Sequence, residues 1–140
     1  ARVEDAAAEE EVGAVVLHIV LFRPRADLTA ASRVALIDTL EEALRRIPSI
    51  RRFRLGRRIR HGAGYEASMP VDLGYAAVLE FDDVSGLQSY LEHPAHRALG
   101  KSFMESLEAS AIYDYRMHGP GELEALRRAE LGTSDTEFLA

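Results

Sequence analysis

Three side chains that can transfer protons lie within one seven-residue segment of this chain, 90–96. Tyr90, His93 and His96 are spaced three apart, and Pro94 directly follows the first histidine. Proline favours the first position of a helix and the residue before it avoids helical backbone, so two helices are predicted to meet here. Histidine titrates near neutral pH, and a phenol can donate or accept a proton. This segment is therefore the strongest candidate for chemistry in the sequence.

One interpretation is acid–base catalysis on a carbonyl substrate. His96 is then the candidate base, and Tyr90 donates a hydrogen bond to the oxyanion that forms. Groups of this kind typically raise a reaction rate by about 10²–10⁴-fold. The alternative is structural, with His96 capping the second helix and the Tyr90 ring packed in the core. His93 is predicted to bond the backbone near the break. A metal site on His93 and His96 is a third possibility, but no third ligand stands at a suitable spacing. Neither a metal nor a cofactor is therefore predicted.

His18 is a further candidate, because it is the only polar residue in the apolar segment 14–22. A buried imidazole needs a hydrogen-bond partner. One interpretation is a core histidine whose bonds are satisfied. The other is a side chain that faces the centre of a barrel near His96 and assists the chemistry there.

Composition limits the classes of function. A chain of 140 residues with 47% hydrophobic and 29% charged residues is typical of one globular domain. The net charge of −6 argues against nucleic acid as a partner. The absence of cysteine excludes disulfides and thiol catalysis. No apolar run approaches the roughly 20 residues of a membrane span, so no membrane partner is predicted. Cytoplasmic location is the default expectation, and removal of a leader stays open as the alternative, because the sequence begins with Ala1 and not with methionine.

The pattern of apolar residues and turn formers divides the chain into three parts. A flexible acidic arm is predicted at 1–13, a folded domain at 14–118 and a helical or disordered tail at 119–140. Within the domain, Thr29 resembles a helix N-cap, and the segment 61–73 is predicted to be a mobile loop that closes over the barrel mouth. The predicted strands are 14–22, 50–60, 74–81 and 111–117; the predicted helices are 29–47, 82–109 with a break at Pro94, and 122–131.

This order, βαββαβ, is that of the ferredoxin-like α+β fold, with both helices on one face of a four-stranded antiparallel sheet. The other face is solvated in a monomer, so its strands should alternate apolar with polar residues. The first strand does not alternate, because both of its faces are apolar. A second layer must cover the sheet, and the simplest is the same sheet of another subunit. We therefore expect a homodimer through sheet-to-sheet packing, with an enclosed barrel-like centre.

Six arginines crowd into the second strand. One interpretation is an anion contact, to a phosphate, to a coenzyme A or carrier-protein acyl thioester, or to an acidic subunit. The other is a solvated strand face whose charge nearby acids offset and which discourages edge aggregation. Nucleic acid is not favoured, because only one aromatic residue is interleaved. The six are Arg51, Arg52, Arg54, Arg57, Arg58 and Arg60.

Four segments together resemble the stress-responsive A/B barrel, or dimeric α/β barrel (Dabb), family. They are His-Ile-Val-Leu-Phe at 18–22, Phe-Arg-Leu-Gly at 53–56, Gly-Tyr through Glu-Phe at 74–81, and Tyr-Leu-Glu-His-Pro-Ala-His at 90–96. The resemblance covers about 15–117. It implies the ferredoxin-like fold and the homodimeric barrel. Most members are uncharacterised or loosely tied to stress, so it implies a fold more than a function.

A plant branch of that family contains polyketide cyclases resembling olivetolic acid cyclase, which close a linear poly-β-keto thioester by aldol condensation without a cofactor. Its catalytic tyrosine and histidine correspond to Tyr90 and His96, and its first-strand pocket histidine corresponds to His18. Ala77 stands where that branch has another pocket histidine. Three functions stay open: a cyclase-like enzyme acting on a ketone or polyketide-like substrate, a non-catalytic stress-associated oligomer, and a binding module for a small hydrophobic ligand.

Overall fold

The computed structural model describes residues 14–132, so the predicted arm at 1–13 lies outside the described residues, as does the end of the tail. Four strands and four α-helices follow one another, with 3₁₀ turns at Gly64–Ser68 and Pro120–Glu122. The elements are β1 (Val15–Pro24), α1 (Ala30–Arg45), β2 (Arg52–Arg57), β3 (Tyr75–Phe81), α2 (Val84–Glu92), α3 (Pro94–Ser106), β4 (Leu107–Met117) and α4 (Glu124–Gly132).

The strands form one antiparallel sheet in the order β2-β3-β1-β4. This order leaves β2 and β4 at opposite edges and places β1 between β3 and β4. The helices α1, α2 and α3 pack on one face of the sheet, where they share a core with it. The predicted ferredoxin-like α+β fold is thus confirmed.

Local signals start the helices where the sequence predicts. The Thr29 hydroxyl accepts the Ser32 N–H at 3.1 Å and opens α1. The Asp83 carboxylate accepts the Gly86 N–H at 2.8 Å and opens α2. Such caps satisfy amide groups that have no partner within the helix. They set the positions from which α2 and α3 approach β1.

The core lies between the helices and the even-numbered side of β1. Val16 and Phe22 are buried there against Leu79 and Phe81 of β3; the helices contribute Leu40, Leu44, Leu87, Tyr90 and Leu99. Burial of each large apolar side chain contributes about 1.5–3 kcal/mol. The helix that carries the candidate tyrosine is therefore held firmly against the strand that carries His18.

The first half of α1 is exposed although its apolar residues follow helical spacing. Val34 and Ile37 continue the apolar spacing of Leu40 and Leu44, yet they are 56% and 43% exposed. Only the second half of the helix reaches the core, and Leu40, Ala43 and Leu44 are its buried residues. Periodicity alone identifies the apolar side of a helix but not how much of its length another element covers.

The boundary between α3 and β4 is also displaced from the predicted one. The helix ends at Ser106 and not near residue 109, and β4 begins at once with Leu107. Pairing with the long β1 explains the difference, because Arg23 lies opposite Ala109 and Pro24 opposite Leu107. Strand pairing therefore overrides the helical preference of the Ala-rich segment 107–111.

The loop before β3 is organised by two carboxylates. Glu66 accepts the N–H groups of His61, Gly62 and Ala63 at 2.8, 2.7 and 3.1 Å, and these bonds lower its pKa. Gly62 has φ +86, a conformation that favours glycine. Asp72 accepts from Arg58 at 2.6 Å and from Arg60 at 2.5 Å. The predicted closure of this loop over a barrel mouth stays a prediction.

The face of the sheet opposite the helices is mostly apolar over three strands, with Glu80 of β3, beside Leu17, as an exception. The odd-numbered residues of β1 lie there beside Val78 of β3 and beside Tyr113, Tyr115 and Met117 of β4. Those three β4 side chains are exposed, and no element between residues 14 and 132 covers them. At the β2 edge, Arg52 and Arg54 make the same face polar. The predicted apolar character of both faces of the central strand is confirmed.

The tail forms the helix α4. Leu123, just before this helix, and Leu126 and Leu131 within it are exposed in the single chain. Within residues 14–132 the protein has no helix of the length and apolar character that crossing a membrane requires.

Candidate functional site

The junction between α2 and α3 is built on His93. Its extended backbone, with φ −67 and ψ 136, ends α2 and begins α3 ahead of Pro94. The His93 Nδ1 accepts the Ala95 N–H at 3.0 Å, so this side chain serves as the N-cap of α3. The prediction that His93 bonds the backbone at the break is confirmed. The alternative that His96 is the cap is wrong.

The three predicted site residues form one continuous cluster of rings. The Tyr90 ring lies in the middle, with its centroid 4.5 Å from that of His96 and 5.2 Å from that of His18. The Phe81 ring packs against Tyr90 at 5.3 Å and supports the cluster from β3. The helix break therefore brings Tyr90 and His96 onto β1 at the level of His18.

His96 is arranged to act as a base. Its Nδ1 lies 3.1 Å from the carbonyl oxygen of Leu91, and because a carbonyl can only accept, Nδ1 carries the proton. In the neutral ring, the lone pair is then on Nε2. Burial lowers the pKa of His96, an effect that the Leu91 carbonyl opposes and the neighbouring His18 reinforces. The imidazole is thus neutral at physiological pH.

His18 is held by an acidic residue that sequence reasoning missed. Its Nδ1 lies 2.6 Å from Asp114 Oδ1, so the carboxylate accepts the Nδ1 proton and directs Nε2 away from itself. The His18 side chain is 5% exposed and that of Asp114 is 44% exposed. His18 and Asp114 are direct partners in the β1–β4 register. Pairing the centres of the first and last strands is the signal that could have identified Asp114.

Tyr90 is a proton donor at neutral pH. Burial, together with the negative charge of Asp114, raises the pKa of Tyr90 to about 12. The residue is almost fully buried, so at neutral pH its hydroxyl keeps a proton that it can donate.

A cavity of about 250 Å³ adjoins the three rings. His18, Tyr90 and His96 border it on one side, and the remaining wall is apolar, including Val20, Phe22, Leu79, Leu99 and Phe103. The cavity lies between the sheet and the helices of a single chain. The expectation that His18 faces the barrel centre is therefore wrong, because the even-numbered side of β1 faces the helices.

Ala77 also borders this cavity, from β3. Ala77 stands at the position of a pocket histidine in the plant cyclase branch. Its small apolar side chain leaves more room in the cavity and adds no polar group to the wall. The described residues include no cluster of three His, Cys, Asp or Glu side chains arranged as metal ligands.

The arginine-rich strand lies away from this cavity. It occupies the edge of the sheet opposite to β4, and none of its arginines borders the cavity. Arg51 bonds Asp82, Arg52 lies 3.5 Å from Glu80, and Asp72 binds Arg58 and Arg60. These local acids are what a solvated, charge-balanced strand face requires.

The family model described as Stress responsive A/B Barrel Domain matches residues 16–117. Among solved structures, a dimeric ferredoxin-like protein of unknown function from Thermobifida fusca is 24% identical, with a TM-score of 0.61 over 76% of this chain and 93% of that one. A dimeric protein of unknown function with a ferredoxin-like fold from Bacteroides fragilis is 29% identical, with a TM-score of 0.55 over 74% and 96%. A hydroxynitrile lyase from Passiflora edulis is 18% identical, with a TM-score of 0.63 over 74% and 94%. No curated protein matches the sequence.

Proposed function

Because this chain belongs to the stress-responsive A/B barrel domain family, in which activity is not a property of the fold, we propose a function from its cavity. The protein acts by acid–base catalysis, without a cofactor, on a small ketone or polyketide-like molecule. The observation that supports this proposal is the contact of His18, Tyr90 and His96 at the wall of one apolar cavity.

Each of the three side chains has a distinct role in this proposal. His96 Nε2 takes a proton from the carbon next to the substrate carbonyl, and the Tyr90 hydroxyl donates a hydrogen bond to the oxyanion that forms. His18, positioned by Asp114, offers Nε2 as a second group for moving the proton on. The dry walls strengthen these interactions, since charges and dipoles are poorly screened there.

The same fold is compatible with an enzyme, since the protein from Passiflora edulis is a hydroxynitrile lyase. At 18% identity that likeness concerns the fold alone. The function proposed here depends on the side chains of this chain.

The assay that tests the proposal compares wild type, Tyr90→Phe and His96→Ala on a panel of β-keto thioesters. We expect both variants to lose about 10²–10⁴-fold in kcat, the range typical of acid–base groups. The matched control is Tyr65→Phe and His61→Ala, because that pair is bonded at 3.0 Å in an exposed loop away from the cavity. The control variants should stay within about 2-fold of wild type. Equal activity in wild type and both cavity variants would remove the catalytic roles.

A second candidate function is a binding module for a small hydrophobic ligand. The apolar wall favours it, because most residues that border the cavity are hydrophobic. Micromolar binding of a ketone that is never turned over, with affinity unchanged in His96→Ala, would support binding over catalysis.

The proposed assembly is a homodimer in which the open face of the sheet packs on that of a second copy. The exposed Tyr113, Tyr115 and Met117 support it, together with the apolar side of β1. The similar proteins from Thermobifida fusca and Bacteroides fragilis are dimeric. Sedimentation at micromolar concentration should give a dimer, and a stable monomer would rule this assembly out. A charge within the apolar part of this face, Tyr113→Glu, should shift the equilibrium to monomer.

A further inference from the structure

The cavity has an open side between α3 and β4. Met104 of α3 and Ile112 of β4 both border the cavity, yet they are 59% and 50% exposed. Because β4 is an edge strand, its helix-facing side extends beyond the layer of helices. A ligand can therefore enter here and can also protrude here.

Gly100 leaves this side of the cavity unusually bare. It borders the cavity in the interior of α3, where glycine is less favourable than alanine. A Cβ at this position would meet no atom within 4 Å, so packing does not exclude a side chain. The space is continuous with the cavity, and a ligand longer than the cavity would pass over this residue.

Two cations flank the opening. Arg97 and Lys101 lie one turn apart on α3, and helical spacing places them on the flank that carries Met104. Both are exposed, and neither side chain has an ion pair or hydrogen bond with any residue from 14 to 132. Nearby acids are Glu105 on α3 and Asp114, which is bonded to His18. By contrast, four arginines in or beside β2 lie within ion-pair distance of an acidic side chain: Arg51, Arg52, Arg58 and Arg60.

We propose that the cavity takes a keto carboxylate. Its apolar, carbonyl-bearing part fills the cavity, its chain passes over Gly100, and its carboxylate lies against Arg97 and Lys101. This inference rests on the proposed function for the position of the carbonyl at His96. Lys101 is five residues beyond His96, or about 7.5 Å along the helix axis at 1.5 Å per residue. A spacing of roughly six bonds between carbonyl and carboxylate matches that distance.

The two probes are 7-oxooctanoate and its methyl ester. They have the same keto chain, but only the acid carries a negative charge. Binding to the full chain is followed by amide NMR titration. We expect the acid to bind more tightly than the ester, with the difference lost in Arg97→Gln/Lys101→Gln. In the double variant, the affinity for the acid should fall by about 3–10-fold, the range expected for exposed ion pairs. Adding 0.5 M salt, which shortens the screening length to about 4–5 Å, should weaken binding of the acid to wild type by a similar factor.

Arg57→Gln is the matched control, because Arg57 is also exposed but lies on the opposite edge of the sheet. It should bind both probes as wild type does. Equal affinity for acid and ester, or an equal loss for both in the double variant, would overturn the proposal.

Gly100→Ala and Gly100→Leu test the path over α3. Both should weaken binding of acid and ester together, with leucine the more severe, while Gly100→Ala leaves the melting temperature unchanged or raised. Undiminished binding in Gly100→Leu would show that the path is wrong. Acid selectivity without any dependence of turnover on His96 would leave this inference standing and remove the proposed catalysis. Turnover that depends on His96 without acid selectivity would remove this inference and leave the proposed catalysis standing.

Discussion

Two tyrosine–histidine pairs in this protein join residues that are close in sequence, one in the loop before β3 and one at the junction between α2 and α3. In the loop, the Tyr65 hydroxyl and His61 Nε2 lie 3.0 Å apart, and both side chains are exposed. At the junction, Tyr90 and His96 pack ring against ring at 4.5 Å beside a cavity. In the exposed pair, the two side chains hydrogen-bond to each other and are accessible to water. The buried pair borders a space that a ligand can fill.

The difference shows that residue types alone do not make a site. Burial is what shifts the pKa values of Tyr90 and His96, upward for the phenol and downward for the imidazole. Both shifts favour the neutral forms, which are the donor and the base that carbonyl chemistry needs. The core that surrounds the junction therefore contributes to the proposed chemistry.

The largest contrast between the pairs should appear in stability. Tyr90→Ala removes a buried ring that contacts His18, Phe81 and His96, and truncation of a large core aromatic typically costs about 3–5 kcal/mol. Tyr65→Ala, in the exposed pair, should change the free energy of unfolding by no more than about 0.5 kcal/mol. Urea denaturation measures both. Similar costs for the two variants would contradict the contrast.

The second test separates the charge of Asp114 from the burial of Tyr90. Asp114→Asn removes the charge while keeping the shape, so the pKa of Tyr90 should fall below its value of about 12. It should stay above 10, because burial is the larger cause of the shift. Spectrophotometric titration of the tyrosines measures this, with Tyr90→Phe identifying the signal. An unchanged Tyr90 titration would mean that Asp114 acts only through His18.

The third test uses pH. The pKa of His96 is lower in the folded protein than the 6.5 of an unperturbed histidine, so the unfolded chain binds more protons between those two values. Stability from this group is therefore full above about pH 6.5 and is lost as the pH falls through the folded pKa. The urea midpoint of wild type should fall between pH 8 and pH 5 by more than that of His96→Gln. His61→Gln is the control and should follow wild type.

Activity should follow the same group, rising with pH as His96 loses its proton and reaching a plateau near neutrality. A rate that falls over this range would mean that protonated His96 is the active form, and the assignment of His96 as base would be wrong.

The predictable part of the site is the part that local sequence determines. Pro94 predicts the helix break. The local geometry of the two helices then places Tyr90 and His96 on either side of it. Asp114 was missed because its bond to His18 joins residues 96 positions apart, and such pairing depends on strand register. Register and edge position are properties of the assembled sheet, which is also why the end of α3 differs from its predicted position.

The smallest expected change in stability concerns His93. This residue lies between Tyr90 and His96 in sequence, but its side chain bonds the backbone. Loss of an N-cap hydrogen bond typically costs about 0.5–2 kcal/mol, so His93→Ala should destabilise the protein by that amount. His93→Asn should restore most of it, because asparagine is a strong N-cap residue. Turnover per folded molecule should be unchanged in His93→Asn, since this side chain does not border the cavity. If asparagine restores stability while activity is lost, His93 takes part in the chemistry, and the separation of roles at the junction fails.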